Sequence, residues 1–191
     1  MTSKTLITLA CLFAIAFALL GLGHCGYGKI DSMLTLENKA ASIREEFPGV
    51  EHIEIGTLAL LLDGDSSNSI LLVDSRSPEE YAVSHIPGAV NLETLEAVKA
   101  HLDGKADPPS DIIAYCSVGQ RSAILADQLK KSGFEKSRNV VGSIFAWANE
   151  DRVLEDSSGK PVEKVHPFNE FWGRMLKPEK RADLEKSSPS E

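Results

Sequence analysis

A chain of 191 residues with a formal net charge of -8 at pH 7 has room for one compact domain of about 100–200 residues. Two catalytic-type domains in tandem do not fit. The acidic balance argues against nucleic acid or anionic lipid as the main partner, since both need basic patches, so an anionic ligand has to be attracted by local charge and N–H donors.

The chain opens with Lys4 ahead of an uncharged run over 6–23. That run exceeds a secretory h-region of about 7–15 residues yet falls short of the roughly 20 that span a bilayer. It is read as a targeting segment within 1–25, a signal peptide or a membrane anchor. Gly21 and Gly23 offer small residues for cleavage near His24, which favours an exported chain in a periplasmic or other extracytoplasmic space. An uncleaved run would tether it to a membrane. His24 stands where a lipoprotein signal wants a small residue, so Cys25 is not read as a lipidation site.

Residues 26–50 form a lead-in whose apolar positions Leu34, Leu36, Ala40, Ile43 and Phe47 partly match a helical face, ended by Pro48-Gly49. A strand is expected over 51–55, a helix over 57–63 and a polar turn over 64–69. The apolar strand over 70–74 reads as buried on both faces, as in a parallel sheet. Ser77, Pro78 and Glu80 fit an N-cap, first helical position and capping box. A short strand over 89–92, a helix over 94–102 and a loop over 106–110 follow. Then come a strand over 111–115, a helix over 121–132, a strand over 138–141 and a helix over 144–149. Strands alternating with helices give an α/β fold with a parallel sheet.

The junction after the strand over 111–115 carries the chemistry. It delivers Cys116 into Ser117-Val118-Gly119-Gln120-Arg121-Ser122, from which a helix departs. Gly119 allows a tight turn, so loop N–H groups can converge on one sulfur and favour an anion. A free thiol has a pKa of about 8.5, and a helix N-terminus or neighbouring cations lower it to about 3.5–7.5. A drop of two units needs about 2.7 kcal/mol, and a helix end alone supplies about 0.3–2 kcal/mol. Loop N–H groups and Arg121 must share the task. Of Cys11, Cys25 and Cys116, only the last lies in the expected globular part, so no internal disulfide and no cysteine-held metal is expected there. By itself, strand–Cys–loop–helix suits acyl transfer, phosphate hydrolysis or sulfur transfer equally.

Three segments together resemble the rhodanese-like sulfurtransferases. LLVDSRSPEEYAVSHIPGAVNL over 71–92 is similar to that family's Asp-x-Arg, Glu-Tyr, His-Ile-Pro-Gly-Ala and Asn series, with Ser84 in place of the usual Gly. CSVGQRS is similar to its catalytic loop. NVVGSIFAWANE over 139–150 is similar to its Gly-Gly-x-x-x-Trp segment, with Ser143 in place of the second Gly. The resemblance implies a three-layer fold, a central parallel sheet flanked by helices, over 51–152. It implies Cys116 as the nucleophile that carries a persulfide, and Ser117, Val118, Gly119, Gln120, Arg121 and Ser122 as the substrate-binding cradle. Phosphatases of this fold place five residues between cysteine and arginine. Four separate Cys116 from Arg121, which matches the sulfurtransferase branch.

On this reading the partners are a small anionic sulfur donor, such as thiosulfate, and a cyanide or thiol acceptor, with no cofactor; no protein partner is legible. The alternatives are a non-catalytic binding module and a cysteine-dependent phosphatase. Asp74, Arg76 and His85 are candidates for a supporting ring around the loop. Asp at a strand end usually caps or pairs, and thiolate attack on a sulfane sulfur needs no general base, so His85 reads as a turn residue. Trp147, Phe168, Phe171 and Trp172 are expected to pack in the core or at its edge. Residues 153–176 read as a hairpin and helix covering one face, with His166 unplaced, and 177–191 as a disordered tail.

Overall fold

Parallel strands can be joined only through crossovers, and the alternating apolar runs and helical segments supply them. A computed structural model describes residues 35–64, 69–106, 108–109 and 111–184. The run over 6–23, expected to be a targeting segment, lies outside these residues. Among those described, no helix is long and apolar enough to cross a membrane.

Among the described residues, α1 (Leu36–Glu46) precedes β1 (Glu51–Ile53), α2 (Ile55–Asp63), β2 (Ile70–Asp74), α3 (Pro78–Val83) and β3 (Val90–Asn91). They are followed by α4 (Leu95–Leu102), β4 (Asp111–Tyr115), α5 (Gln120–Lys131), β5 (Ser137–Val140) and α6 (Ser143–Asn149). The five strands pair in parallel in the order β1-β5-β4-β2-β3, so β4, the strand that ends at Cys116, lies at the centre. Leu71, Val73, Ile112 and Ala114 from β2 and β4 form one core cluster with Val98 and Leu102 of α4 and Leu125 and Leu129 of α5. The alternate residues Leu72, Ile113 and Tyr115 are equally buried and face the other way by the two-residue period of a strand. This two-sided burial explains the uninterrupted apolar runs.

A hairpin, β6 (Leu154–Glu155) with β7 (Pro161–Val162), and the short helix α7 (Glu170–Gly173) make up the C-terminal extension. The expected disorder from residue 177 does not hold at its start. Pro178–Lys180 form a 3-10 turn, Val165 pairs with Arg181, and the Arg181 guanidinium donates to the Leu176 carbonyl at 2.8 Å. Charge in this stretch is anchored by the Leu176 carbonyl at Arg181 and by the Asp151 carboxylate at Lys177 and Lys180.

The ends of β2 and β4 are joined by buried polar contacts. Asp74 and Arg76 are fully buried and pair at 2.6 Å, and Arg76 also donates to the Ser84 carbonyl at 2.6 Å. Burial pushes the Arg76 guanidinium toward neutrality, and the Asp74 carboxylate more than offsets this. Tyr115 is held neutral by burial, and its hydroxyl accepts the Ile86 N–H at 3.1 Å, which ties β4 to the His85–Gly88 turn.

Removing one member of a buried ion pair strands the other charge. Asp74→Ala is therefore expected to cost about 3–5 kcal/mol in urea unfolding, and Asp74→Leu with Arg76→Met to recover most of it. A loss below about 1 kcal/mol for the single variant would class the pair with exposed ones.

Candidate active site

Cys116 stands at the first position after β4 and is 1% exposed. Its loop is clamped from behind. The N–H groups of Ile144 and Phe145, in the first turn of α6, donate to the carbonyls of Cys116 and Ser117, each at 3.1 Å. These are groups that a helix start leaves without partners of its own. With the loop carbonyls turned toward α6, loop N–H groups are free to face the sulfur. The Gly119 N–H donates to Sγ at 3.1 Å. Gly119 reaches this pose at φ 107°, a conformation cheap only for glycine.

Ser143, which departs from the double-glycine pattern, has a positive φ of 52°. Its hydroxyl donates to the Val140 carbonyl at 3.0 Å and accepts the Cys116 N–H at 3.1 Å. The left-handed backbone costs a non-glycine residue about 1–3 kcal/mol, and these two bonds offset it while fixing the main chain of Cys116.

Burial alone would push the Cys116 thiol up. The Arg121 charge, the Ser122 N–H and the Gly119 N–H outweigh it and leave the thiol below its ordinary range. The Ser122 hydroxyl proton goes to Asn139 Oδ1 at 2.7 Å.

Arg121 is held by a partner that the sequence reading placed only in a helix cap. Glu80 is 3% exposed. It completes the capping box with Ser77 and accepts from Arg121 Nη1 at 2.7 Å and Nη2 at 2.9 Å. Ser117 Oγ donates to the same carboxylate at 3.0 Å and accepts from Arg121 Nη2 at 3.0 Å. Burial pushes the Glu80 carboxyl up, but the guanidinium bonds, the Arg121 charge and the Ser77 N–H bring it below the usual carboxylate range. Arg121 thus faces the sulfur from a neutral ion pair.

The sulfur is approached through a cavity of about 140 Å³ lined by Lys39, Cys116, Val118, Gln120, Arg121, Phe168 and Trp172. Every residue expected in the loop cradle is therefore in the loop's network. Cys116, Val118, Gln120 and Arg121 line the opening, whereas Ser117, Gly119 and Ser122 support it from inside. Asp74, Arg76 and His85 do not line it. His85 stacks on Tyr81 at 3.8 Å and lies 3.3 Å from Glu155 of the hairpin, joining the turn to the extension.

Expectation and structure part at the aromatics. Trp147 is buried and donates to the Val153 carbonyl at 2.7 Å. Phe168, however, is 45% exposed, with the Arg121 guanidinium 5.1 Å from its ring centroid. Phe171 is likewise half-exposed, and its ring meets Trp172 edge-on at 5.4 Å. Phe168 follows Pro167 with φ 65°, a turn that aims the ring at the opening instead of into the core. His166 comes with it. Its Nδ1 accepts the Phe168 N–H at 3.1 Å, and desolvation, with the charges of Arg76 and Arg121, outweighs the opposing Glu80 carboxylate and keeps it below the ordinary imidazole range. Among the described residues no cluster of His, Cys, Asp and Glu is arranged to hold a metal.

Because Glu80 neutralises Arg121, Glu80→Gln should let the full guanidinium charge act on the sulfur and move the alkylation profile of Cys116 to lower pH, whereas Arg121→Met should move it up. Unmoved profiles in both variants would remove Arg121 from the sulfur's electrostatics. A depressed carboxyl stabilises the fold above its unfolded pKa and loses that contribution as pH falls through the folded value. Any stability advantage of the wild type over Glu80→Gln should accordingly shrink on acidification below about pH 4.

The sequence model described as the rhodanese-like domain matches residues 57–150. The thiosulfate sulfurtransferase GlpE of Pseudoalteromonas translucida is 31% identical over 97 residues, covering 51% of this chain and 88% of that protein. A Bacillus subtilis protein named as a sulfur carrier, YrkF, is 35% identical over 94 residues, 49% of this chain, which spans only 50% of that relative's length. A solved thiosulfate sulfurtransferase from Pseudomonas aeruginosa superposes with a TM-score of 0.50 at 21% identity, over 63% of this chain and 22% of that one, a likeness of fold alone. Taken with the parallel sheet and the loop that leaves β4, these matches place the chain in the rhodanese-like family, among whose members are thiosulfate sulfurtransferases.

Proposed function

We propose that this chain is a sulfurtransferase that moves a sulfane sulfur from thiosulfate or a related donor to cyanide or a thiol, with Cys116 as the carrier. The observation that carries this reading is the single-sulfur cradle, in which Gly119 N–H lies 3.1 Å from Sγ and four residues separate Cys116 from Arg121. In the first step the Cys116 thiolate attacks the outer sulfur of thiosulfate. A Cys116 S–S bond forms, the donor's S–S bond breaks, and its electron pair leaves on sulfite. In the second step an acceptor attacks the outer sulfur and the pair of the broken bond returns to Cys116. The attacking form is the thiolate, which the cradle favours by lowering the thiol's pKa, so the step needs no general base. The Glu80-Arg121-Ser117 network supports a negative charge at the sulfur throughout both steps without an unpaired cation in the cradle.

A phosphatase would need a loop one residue longer, and a binding module would leave a thiol of lowered pKa without a task. Intact mass after incubation with thiosulfate separates the sulfurtransferase from both alternatives. The wild type is expected to gain one sulfur atom on Cys116, and Cys116→Ser, which conserves volume, is expected to gain none and to transfer none to cyanide. A wild type that stays at its starting mass would sink the proposal.

The same proposal places the domain outside the cytoplasm, with the run over 6–23 exported and cleaved. The mature N-terminal sequence, read together with carbonate extraction of host membranes, is expected to begin after Gly23 in the soluble fraction. An intact Met1 in the resistant pellet would make the run a tether.

A further inference from the structure

Segments on both sides of the family match meet over Cys116. The match spans 57–150, yet Lys39 comes from α1 and Phe168 and Trp172 from the extension, and all three line the cavity above the sulfur. Val118, Phe168 and Trp172 give it apolar walls. The charges at its mouth are unequal. Arg121 is matched by Glu80 at 2.7 Å, whereas Lys39 Nζ, among the described residues, donates to the neutral Gln120 amide at 2.6 Å and lies 5.8 Å from the Trp172 ring centroid. Glu46 meets the far side of that amide at 3.0 Å without an ion pair to Lys39. On a chain of net charge -8, Lys39 is thus the cation left at this opening for an incoming anion. Phe168 holds its ring half in water on a left-handed backbone, a costly arrangement that core packing does not explain.

We propose that Lys39, Phe168 and Trp172 select the sulfur acceptor, and that the acceptor is a small organic thiol with an apolar carbon body and a carboxylate. The body lies against the two rings and the carboxylate on the Lys39 ammonium, which aims the thiolate at the outer sulfur of Cys116. The thiolate's lone pair forms the new S–S bond, the Cys116 Sγ–S bond breaks with its pair returning to Cys116, and the acceptor leaves as a persulfide anion. Cyanide is too small to use either wall. This inference rests on the sulfur-transfer reading above.

The test loads the full chain with thiosulfate, removes the excess, and follows loss of sulfur from Cys116 by intact mass with three acceptors: cyanide, 3-mercaptopropionate and its neutral analogue 3-mercapto-1-propanol. The wild type is expected to discharge to the carboxylate thiol about fivefold faster than to the alcohol, the size of a favourable half-exposed ion pair, and Lys39→Gln to abolish that preference. Phe168→Ala with Trp172→Ala is expected to lower the ratio of thiol to cyanide discharge about tenfold, the worth of two ring contacts. Equal rates with the two thiols in the wild type, or ratios unmoved in the variants, would overturn this inference while leaving sulfur transfer intact. A wild type that takes up no sulfur would overturn the transfer reading and this inference with it. Should the double variant not fold, the Lys39→Gln ratio decides alone.

Discussion

The first N–H groups of α6 have no carbonyl of their own helix to bond, and they take those of Cys116 and Ser117. The rest of the site depends on this exchange. It satisfies a helix start that burial would otherwise leave unpaired, and it turns the loop's carbonyls away from the sulfur. Only then does the Gly119 N–H point at Sγ while the loop feeds directly into α5. The left-handed residues Gly119 and Ser143 are what this geometry costs. Glycine meets that cost at one position, and a hydroxyl bonded to the Cys116 N–H and the Val140 carbonyl meets it at the other.

A buried thiol of lowered pKa in an acidic protein poses a second problem, since a bare cation beside it would itself need solvation. Here the cation arrives already paired. Glu80 fixes both Nη atoms of Arg121, and Ser117 closes the triangle, so the guanidinium is held in one orientation beside the sulfur. Such preorganised charge acts without rearrangement when charge moves in the reaction. The same carboxylate caps α3. Stability of that helix and electrostatics of the sulfur are therefore carried by one residue.

The buried Asp74–Arg76 pair and the Tyr115–Ile86 hydrogen bond act one layer further out. They lock the strand ends and the His85–Gly88 turn to each other, and His85 passes that order on to the hairpin through Glu155. The extension is thus held by the frame of the site and not merely laid over the sheet. This explains how an exposed ring such as Phe168 keeps a defined place above Cys116.

Local signals were enough to read the scaffold. The strands Ile70–Asp74 and Asp111–Tyr115 are continuous apolar runs, and the Ser77–Glu80 capping box involves residues three apart. The Cys116 loop announces itself by a glycine and an arginine within five positions. Each is set by neighbours along the chain, where sterics and helix-end hydrogen bonding act directly. What the tertiary structure decided is everything that joins distant positions. Glu80 and Arg121 are 41 residues apart and Lys39 and Gln120 are 81 apart, while Phe168 and Trp172 read from sequence as ordinary packing aromatics. A carboxylate, a lysine or a phenyl ring has the same local preferences whether it faces solvent or a sulfur. Only the crossing of the chain over the centre of the sheet assigns its partner, so the Cys116 loop was legible in the sequence and the mouth of its cavity was not.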